Sequence, residues 1–497
     1  MSTSLPLLLV VGVLVMAACV GDDPAVQGGS SGTVTGPDGG GTPNDGAASG
    51  GDSATGTDSS TPSCACVDTG ASLLCGATRT ACGDYGCAEA TADTAAHCRR
   101  FDPTGLVEPT DLTVAGLKDY TGKNLKFFTD TGQITTTDGA TEIRAANAFP
   151  DKEEVNAAGI GFRLVAGKVG IFQFKNLTIE KADAFNFNGA IGSVALALVA
   201  TEQITISGKL DLGCTTFGQL SGYPPAGSSV GGTSVTTTVS GDGAGPGKGK
   251  GGGVAGGLAE GGGGGGGHGA LGGGGADGFN TSVASGGLAG ASYTDPSFDP
   301  PLGGSGGGSG AMASGGAGGG AVQLVAGTKI TIGSGTGAVA GAFGLAEGIN
   351  VGGCGGASNL NGPSGGGGSG GTILIEAPVV VGLVNAGLAS NGGSGGGGAS
   401  DSQQNGVISS SVQGPATNVC YGGGGNGGAG TSPPGGTGLT GTVNDACGGA
   451  KSYGGGGGGA AGIVRILTKS GSVTTDASFL ISPSIAPALQ KGKIATR

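Results

Sequence analysis

Four serines have the spacing Gly-X-Ser-X-Gly, which marks a hydrolase nucleophile when the serine lies on a tight turn between a strand and a helix. These serines are Ser305, Ser364, Ser369 and Ser394. Glycine directly follows each of them, and the chain has two histidines, His97 and His268, to act as a base. We interpret the four matches as coincidental, and the sequence predicts no catalytic residue.

A calcium-binding pattern occurs once, at Asp277. Residues 272–280 match the nonapeptide of parallel β-rolls, in which stacked aspartates and backbone carbonyls supply the oxygen ligands. Each ion in a β-roll lies between neighbouring turns, so a site needs tandem copies of the pattern. Asp277 is therefore a weak candidate for a calcium ligand, and we predict no cofactor.

The eleven cysteines predict disulfides, because ten remain when Cys19 is set aside and an exported chain keeps its thiols oxidised. Six of them predict a small module over residues 64–100 with three bridges in one of fifteen connectivities: Cys64, Cys66, Cys75, Cys82, Cys87 and Cys98. A zinc site is disfavoured, since no CxxC pair is present. Four more, which could staple long loops, are Cys214, Cys354, Cys420 and Cys447.

The N-terminus predicts export. Residues 5–18 are apolar, too short to span a bilayer, and end in small residues directly before Cys19. This arrangement resembles a bacterial lipobox, which implies a signal peptide over 1–18 and lipidation of Cys19. By the same resemblance, Val20 favours the outer membrane. The alternative is a plain secretory signal with Cys19 incidental. Residues 19–63, rich in Gly, Ser, Thr and Asp, predict a flexible tether.

Composition excludes several classes of protein. Glycine fills 122 of 497 positions, charged residues make up 11%, and tryptophan is absent. An ordinary enzyme core is therefore disfavoured, and the lack of a Gly-X-Y period excludes collagen. The net charge is −12 and the sequence pI is about 4.6. The few basic residues are spread thinly, so no nucleic-acid partner is predicted.

A repeat of apolar, any, apolar, any, small residues indicates β-strands with one apolar face. We align five copies on their first residues, Phe172, Leu196, Val322, Ile373 and Val464. Such strands cannot bury their apolar face alone, so we predict that they stack. The predicted fold is all-β: a right-handed parallel β-helix over 171–485, with a β-rich part at 101–170 and a tail at 486–497. The rival fold is an antiparallel sandwich.

Glycine-rich insertions separate the copies, at about 213–320, 345–371 and 393–460. Ordering such backbone costs roughly 1–2 kcal/mol per residue without side-chain burial to offset it. Two arrangements are open: disordered loops, which this cost favours, or extended threefold helices that hydrogen-bond directly to one another. In the alignment of the five repeat copies, Glu376 directly follows Ile375 and is expected to face outward into solvent.

The strand segments resemble a family of glycine-rich predicted lipoproteins of myxobacterial type. The resemblance covers about residues 103–485 and lies in IFQFKNLTIEKADAFNFNGAIGSVALALVATEQITISGKLDL at 171–212, with the later GGTILIEAPVVV and AGIVRILT. It implies an envelope protein with a β-helical body and brings no known activity.

Together these features predict a cell-envelope surface lipoprotein with a structural, adhesive or matrix role and no catalysis. The membrane would be reached through the lipid anchor, and a polysaccharide or surface matrix is a possible partner. The alternative is a carbohydrate-active β-helix enzyme, a lyase or hydrolase, which would need clustered charges on one strand face. Charges near the predicted strands are sparse and read as a solvated face: Glu180, Asp183, Glu202, Lys209, Asp211 and Arg465.

Overall fold

The computed structural model describes most of the chain after the tether. Described residues are 64–82, 85–91, 94–183, 187–214, 225–233, 239–255, 258–259, 261–280, 282–295, 297–336, 345–358, 362–397, 404–407, 409–416, 422–440 and 451–497. The predicted signal peptide, Cys19, the tether, Cys420 and Cys447 lie outside these residues. Within them, no helix has the length and apolar character needed to cross a membrane.

Three disulfides hold the cysteine module. Its strands are β1 Cys64–Val67, β2 Ser72–Cys75, β3 Thr78–Ala81, β4 Cys87–Ala88 and β5 His97–Cys98, with a 3-10 turn at Asp68–Gly70. Strands β1 to β3 form an antiparallel sheet, and β4 pairs with β5. The six cysteines pair among themselves, as Cys64–Cys75, Cys66–Cys87 and Cys82–Cys98.

Short strands lead from this module into the body of the protein. They are β6 Phe101–Asp102, β7 Tyr120–Gly122, β8 Leu125–Phe128, β9 Ile134–Thr136, β10 Glu142–Arg144, β11 Glu154–Val155 and β12 Gly161–Val165, with a 3-10 turn at Pro109–Leu112. The last two strands form antiparallel pairs that close the first edge of the sheet that follows. Three buried rings pack beneath them, with Phe172 contacting both Phe127 and Phe162.

The chain then visits three parallel sheets in turn. The first sheet contains β13 Val169–Phe174, β16 Ala195–Ala200, β23 Ala321–Ala326, β26 Thr372–Glu376, β30 Ile463–Thr468 and β33 Leu489–Lys493. The second contains β14 Leu177–Ile179, β17 Gln203–Ile206, β24 Lys329–Ile332, β27 Val379–Gly382 and β31 Thr474–Thr475. The third row contains β15 Gly189–Ile191, β18 Lys209–Asp211, β25 Glu347–Asn350, β28 Ala386–Ala389 and β32 Leu480–Ser482. An isolated bridge from Asn188 to Leu210 links β15 to the rest of that row.

The register of the first sheet places the predicted apolar residues in buried columns. Leu198, Leu324, Ile375 and Ile466 are successive partners and are fully buried. The predicted alignment is wrong by two residues for the first copy, because Phe172 pairs with Leu198 and not with Leu196. The face is preserved, since side chains alternate with period two along a strand.

We call the first sheet, the second sheet and the third row together the β-stack. Each long insertion leaves the β-stack at the same corner. Residues 212–320, 351–371 and 390–462 all connect a strand of the third row to the next strand of the first sheet. The prediction that an insertion begins at 345 is wrong, because Glu347–Asn350 is a strand of the third row. Within the insertions lie five short strands: β19 Val254–Ala255, β20 Leu258–Ala259, β21 Gly278–Asn280, β22 Ser282–Ala284 and β29 Lys451–Ser452.

The C-terminal residues are structural and not a tail. Strand β33 extends the first sheet, and the final strand, β34 at Ala495–Thr496, pairs antiparallel with β6. This return brings Ile494 and Phe101 onto the outer face of the first sheet, in a second apolar cluster with Val199 and Leu467. Both faces of that sheet are therefore covered, which explains why its central strands are apolar on both sides.

A charge in the buried column tests this register. Ile375→Asp places an unpaired carboxylate among fully buried aliphatic side chains, so we expect a loss of several kcal/mol in the free energy of unfolding. Val379 is 47% exposed at the start of β27, so Val379→Asp changes stability by at most about 0.5 kcal/mol. Denaturant unfolding of both variants measures the difference; equal losses would contradict the register.

Candidate functional site

Residues 261–267 form the hub of an ordered glycine lattice. The amides of 262, 263 and 264 donate to the segments 271–277, 362–371 and 247–253, and the amides of 265, 266 and 267 donate to the same segments in the same order. The carbonyls of the hub accept hydrogen bonds from backbone amides of the segments 285–293, 454–462 and 302–310. A donor direction that repeats every three residues is the geometry of an extended threefold helix of the polyproline II type.

Three further segments have six hydrogen-bonded neighbours each. They are 302–310, 362–371 and 454–462. Segments packed in this way form a hexagonal array in which backbone donors and acceptors of adjacent segments satisfy each other, so burial leaves them paired. The expectation that the insertions are disordered loops is therefore wrong for these described segments. Direct backbone pairing offsets the entropy cost on which that expectation depended.

Close approach makes glycine obligatory inside the lattice. A Cβ built on Gly263 would overlap the carbonyl of Gly308, and one on Gly266 would overlap the carbonyl of Ser305. On an outermost segment the constraint is relaxed at every third residue. Leu271 and Asp277 are exposed there, and a Cβ on Gly274, midway between them, would meet nothing nearer than 3.9 Å.

The four candidate serines lie inside this lattice and are buried. Ser305 Oγ donates to Tyr293 Oη at 3.1 Å and accepts the amide of Gly247 at 3.0 Å. Ser369 Oγ accepts the amide of Ser305, and Ser394 Oγ accepts the amide of Gln404. The hydroxyls of these three serines take part in the hydrogen-bond array, whereas the buried Ser364 Oγ has no hydrogen-bond partner among the described residues.

His268 ends the hub segment and is buried against Tyr293. The two rings stack with centroids 4.5 Å apart, and His268 Nδ1 donates to the carbonyl of Gly370 at 2.7 Å. Burial lowers the pKa of His268 to about 4, and the Gly370 hydrogen bond opposes that shift only partly. Burial likewise raises the pKa of Tyr293. The imidazole is therefore neutral at neutral pH and acts as an aromatic spacer.

Asp277 remains a weak calcium candidate. Its carboxylate is exposed and accepts the amide of Gly286 at 2.8 Å. Across the described part of the chain, no group of three or more His, Cys, Asp or Glu side chains is placed to hold a metal ion.

Four of the six charged residues named near the strands form local ion pairs. Asp183 pairs with Lys123 at 2.7 Å, and Glu202 lies 3.7 Å from Lys175. The prediction of a solvated face is wrong for Asp211, which is buried. Lys209 Nζ lies 2.8 Å from that carboxylate, and Asn350 Nδ2 donates to it. Arg465 lies over the ring of Phe298, with its guanidinium carbon 4.7 Å from the centroid.

A polar network that the sequence did not predict lies beneath the segment linking the cysteine module to the body. The prediction that Glu376 faces solvent is wrong: it is fully buried and accepts hydrogen bonds from the amide and hydroxyl of Thr104 and from Gln323 Nε2. Burial raises the pKa of the Glu376 carboxyl, although these hydrogen bonds oppose the shift. Nearby, buried Asp111 accepts two hydrogen bonds from the Arg163 guanidinium.

A disulfide joins the lattice to the β-stack. Cys214 follows β18 by three residues, and Cys354 lies in the lattice segment 351–357, with Cα atoms 4.8 Å apart. The bridge links two cysteines that are 140 residues apart in the sequence. It therefore fixes the point at which the first insertion departs relative to the second.

Comparison of the chain with protein-family models, curated proteins and solved structures finds no significant match. The functional argument therefore proceeds from the geometry described above.

A methyl group at an interior glycine tests the lattice. Gly263→Ala forces neighbouring segments apart, so we expect the free energy of unfolding to fall by about 1–3 kcal/mol or more. Gly274→Ala adds the same methyl at an open position and changes stability by at most about 0.5 kcal/mol. Chemical denaturation distinguishes the two, and equal tolerance of both would show that the segments are not closely packed.

Acid stability tests the burial of His268. Its pKa is about 4 in the folded chain against 6.5 when unfolded, so the unfolded state alone takes up a proton between these values. Stability should fall as pH drops from 6.5 to about 4, by roughly 3 kcal/mol from this group. His268→Gln should flatten that slope, and an unchanged slope in this variant would contradict the burial of a neutral imidazole.

Proposed function

We propose that this protein is a cell-envelope surface lipoprotein with a structural, adhesive or matrix role. Its body is a right-handed parallel β-helix, a proposal supported by three parallel sheets visited in a repeated order. The lipobox-like sequence before Cys19 supports anchoring in the outer membrane, with residues 19–63 carrying the body outward.

The observation that carries this proposal is the glycine lattice. Its interior admits almost no side chains, so it cannot easily form a catalytic cleft, but its outer segments present side chains at a fixed spacing. Ser285, Leu288 and Ala291 are exposed at every third position, which corresponds to about 9 Å along an extended threefold helix. A stiff body with regularly spaced surface groups suits contact with an extended partner or a surface matrix.

The enzyme alternative receives less support. Polysaccharide cleavage by acid–base chemistry requires carboxylates that converge on a substrate. Three of the four carboxylates named near the strands are held in separate pairs: Asp183 with Lys123, Glu202 with Lys175 and Asp211 with Lys209. We therefore retain the non-catalytic function as the proposal.

Cell fractionation tests the anchored, surface-exposed state. We expect Cys19→Ser to abolish acylation and release the protein from membranes, while the native chain stays in the outer membrane and is reached by antibody added to intact cells. The disulfide-bonded body should still fold, as judged by the native-like melting of the released form. Membrane retention of Cys19→Ser after a salt wash would contradict lipid anchoring.

The adhesive role needs a separate measurement. Cells lacking the protein should show weaker cohesion or matrix retention, and the native gene should restore it whereas the Cys19→Ser form should not. Unchanged cohesion and matrix retention in cells lacking the protein would contradict a structural or adhesive role even if the anchor is present.

A further inference from the structure

The buried columns of the first sheet end in lysines. The aliphatic column described above reaches Ile466, and the next partner along the register is Lys491 on β33. Paired residues of neighbouring strands share a face of the sheet, so Lys491 lies on the face that holds the aliphatic core. Buried Thr468 pairs with Lys493 in the same way. Two successive inward positions of the last strand are therefore lysines.

The opposite end of the first column is charged as well. Phe172 pairs with Phe162 on β12, and Phe162 pairs with Glu154 on β11, which is the other edge strand among the described strands of this sheet. The Glu154 side chain is 53% exposed. Each edge strand thus ends an apolar column with a charged residue. An inward-pointing charge on an edge strand hinders that strand from pairing with another chain.

The C-terminal end of the β-stack has the apolar surface that a second copy of the chain would cover. Strands β33, β31 and β32 are the last described strands of the first sheet, the second sheet and the third row. Four apolar side chains of this last coil pack against the core but are only partly buried: Val473, Phe479, Ile481 and Leu489. A strand edge beside such side chains is a template for pairing with the same edge of another copy about a two-fold axis.

Lysine suits a position that must cover the end of a core and still keep other chains away. Its methylene groups can lie over apolar side chains while its ammonium group reaches water. Lys491 and Lys493 are both exposed at this end. Pairing of two β33 edges would remove the ammonium groups of both copies from water and bring like charges together, and both effects oppose association.

We propose that the C-terminal end of the β-stack is a latent interface for a second copy of this chain, and that Lys491 and Lys493 keep it closed. The interface is latent because its strand edge and its apolar side chains are in place, whereas the inward lysines oppose contact. The body therefore remains a monomer. This inference goes beyond the surface role proposed above and depends neither on the lipid anchor nor on adhesion.

Replacing the two lysines with residues that continue the columns should open the interface. In the soluble full-length Cys19→Ser chain, we expect Lys491→Ile/Lys493→Val to dimerise at least about tenfold more tightly than the parent chain. Association should stop at the dimer, because the Glu154 end is unchanged. The charge-reversed variant Lys491→Glu/Lys493→Glu should stay monomeric, because inward carboxylates resist burial as ammonium groups do. Sedimentation velocity over a range of protein concentrations measures each species.

The matched control replaces two exposed lysines away from the end of the stack. Lys168 directly precedes β13 and Lys181 follows β14, and Lys168→Ile/Lys181→Val should stay monomeric. Four results would overturn the proposal: a monomeric Lys491→Ile/Lys493→Val chain with native-like melting, equal association of the control, association that continues past the dimer, and a parent chain that dimerises until charge reversal disperses it. If the double variant does not fold, Lys491→Ile alone serves as the test.

Discussion

Direct backbone-to-backbone hydrogen bonding between glycine segments is the constraint on which the insertions depend. A globular core normally depends on apolar side chains removed from water, but the lattice has few side chains to bury. Its cohesion comes from donors and acceptors that repeat every three residues and from the close approach that the missing Cβ allows. The molecule thus has two kinds of interior: an aliphatic one within the β-sheets and a nearly side-chain-free one beside it.

The two interiors depend on each other through the chain path. Each insertion begins after a strand of the third row and ends before a strand of the first sheet, so the strand register sets the position of its first and last residues. Gly371 accepts the amide of Ile463 at the point where the lattice passes into β30. The bridge between Cys214 and Cys354 adds a covalent constraint at the same corner. A shift in either interior would therefore be transmitted to the other.

Sequence patterns predicted the parts of the fold that depend on neighbouring residues. Period-two alternation identified strands such as Ile463–Thr468 and their buried faces, and cysteine proximity predicted pairing within the module but not which pairs form. Contacts between distant residues were not predicted. Thr104 and Glu376 are 272 positions apart, and nothing in the local sequence indicates that a linking segment covers the sheet there. The first repeat copy was misplaced because a two-residue shift preserves the alternation.

Glycine was misjudged for a related physical reason. Propensity arguments score a residue by its own conformational freedom and side-chain burial, and both disfavour order at 261–267. The stabilising groups belong to other segments far along the chain, such as Ser364 and Gly457, so a local window does not contain them. The return of the chain end is similar in kind, because Arg100 and Arg497 meet only through the antiparallel pairing of β6 with β34.

The three-residue repeat of donor directions has an evolutionary consequence. If an outer segment gains or loses three residues, every remaining amide keeps its direction, so its neighbours still find their partners. A change of one or two residues rotates the segment and turns side chains such as Leu288 into the array. Insertions and deletions in whole turns are therefore the changes that selection can retain, and related chains should differ in tract length by multiples of three, while the strands between the tracts keep a constant length.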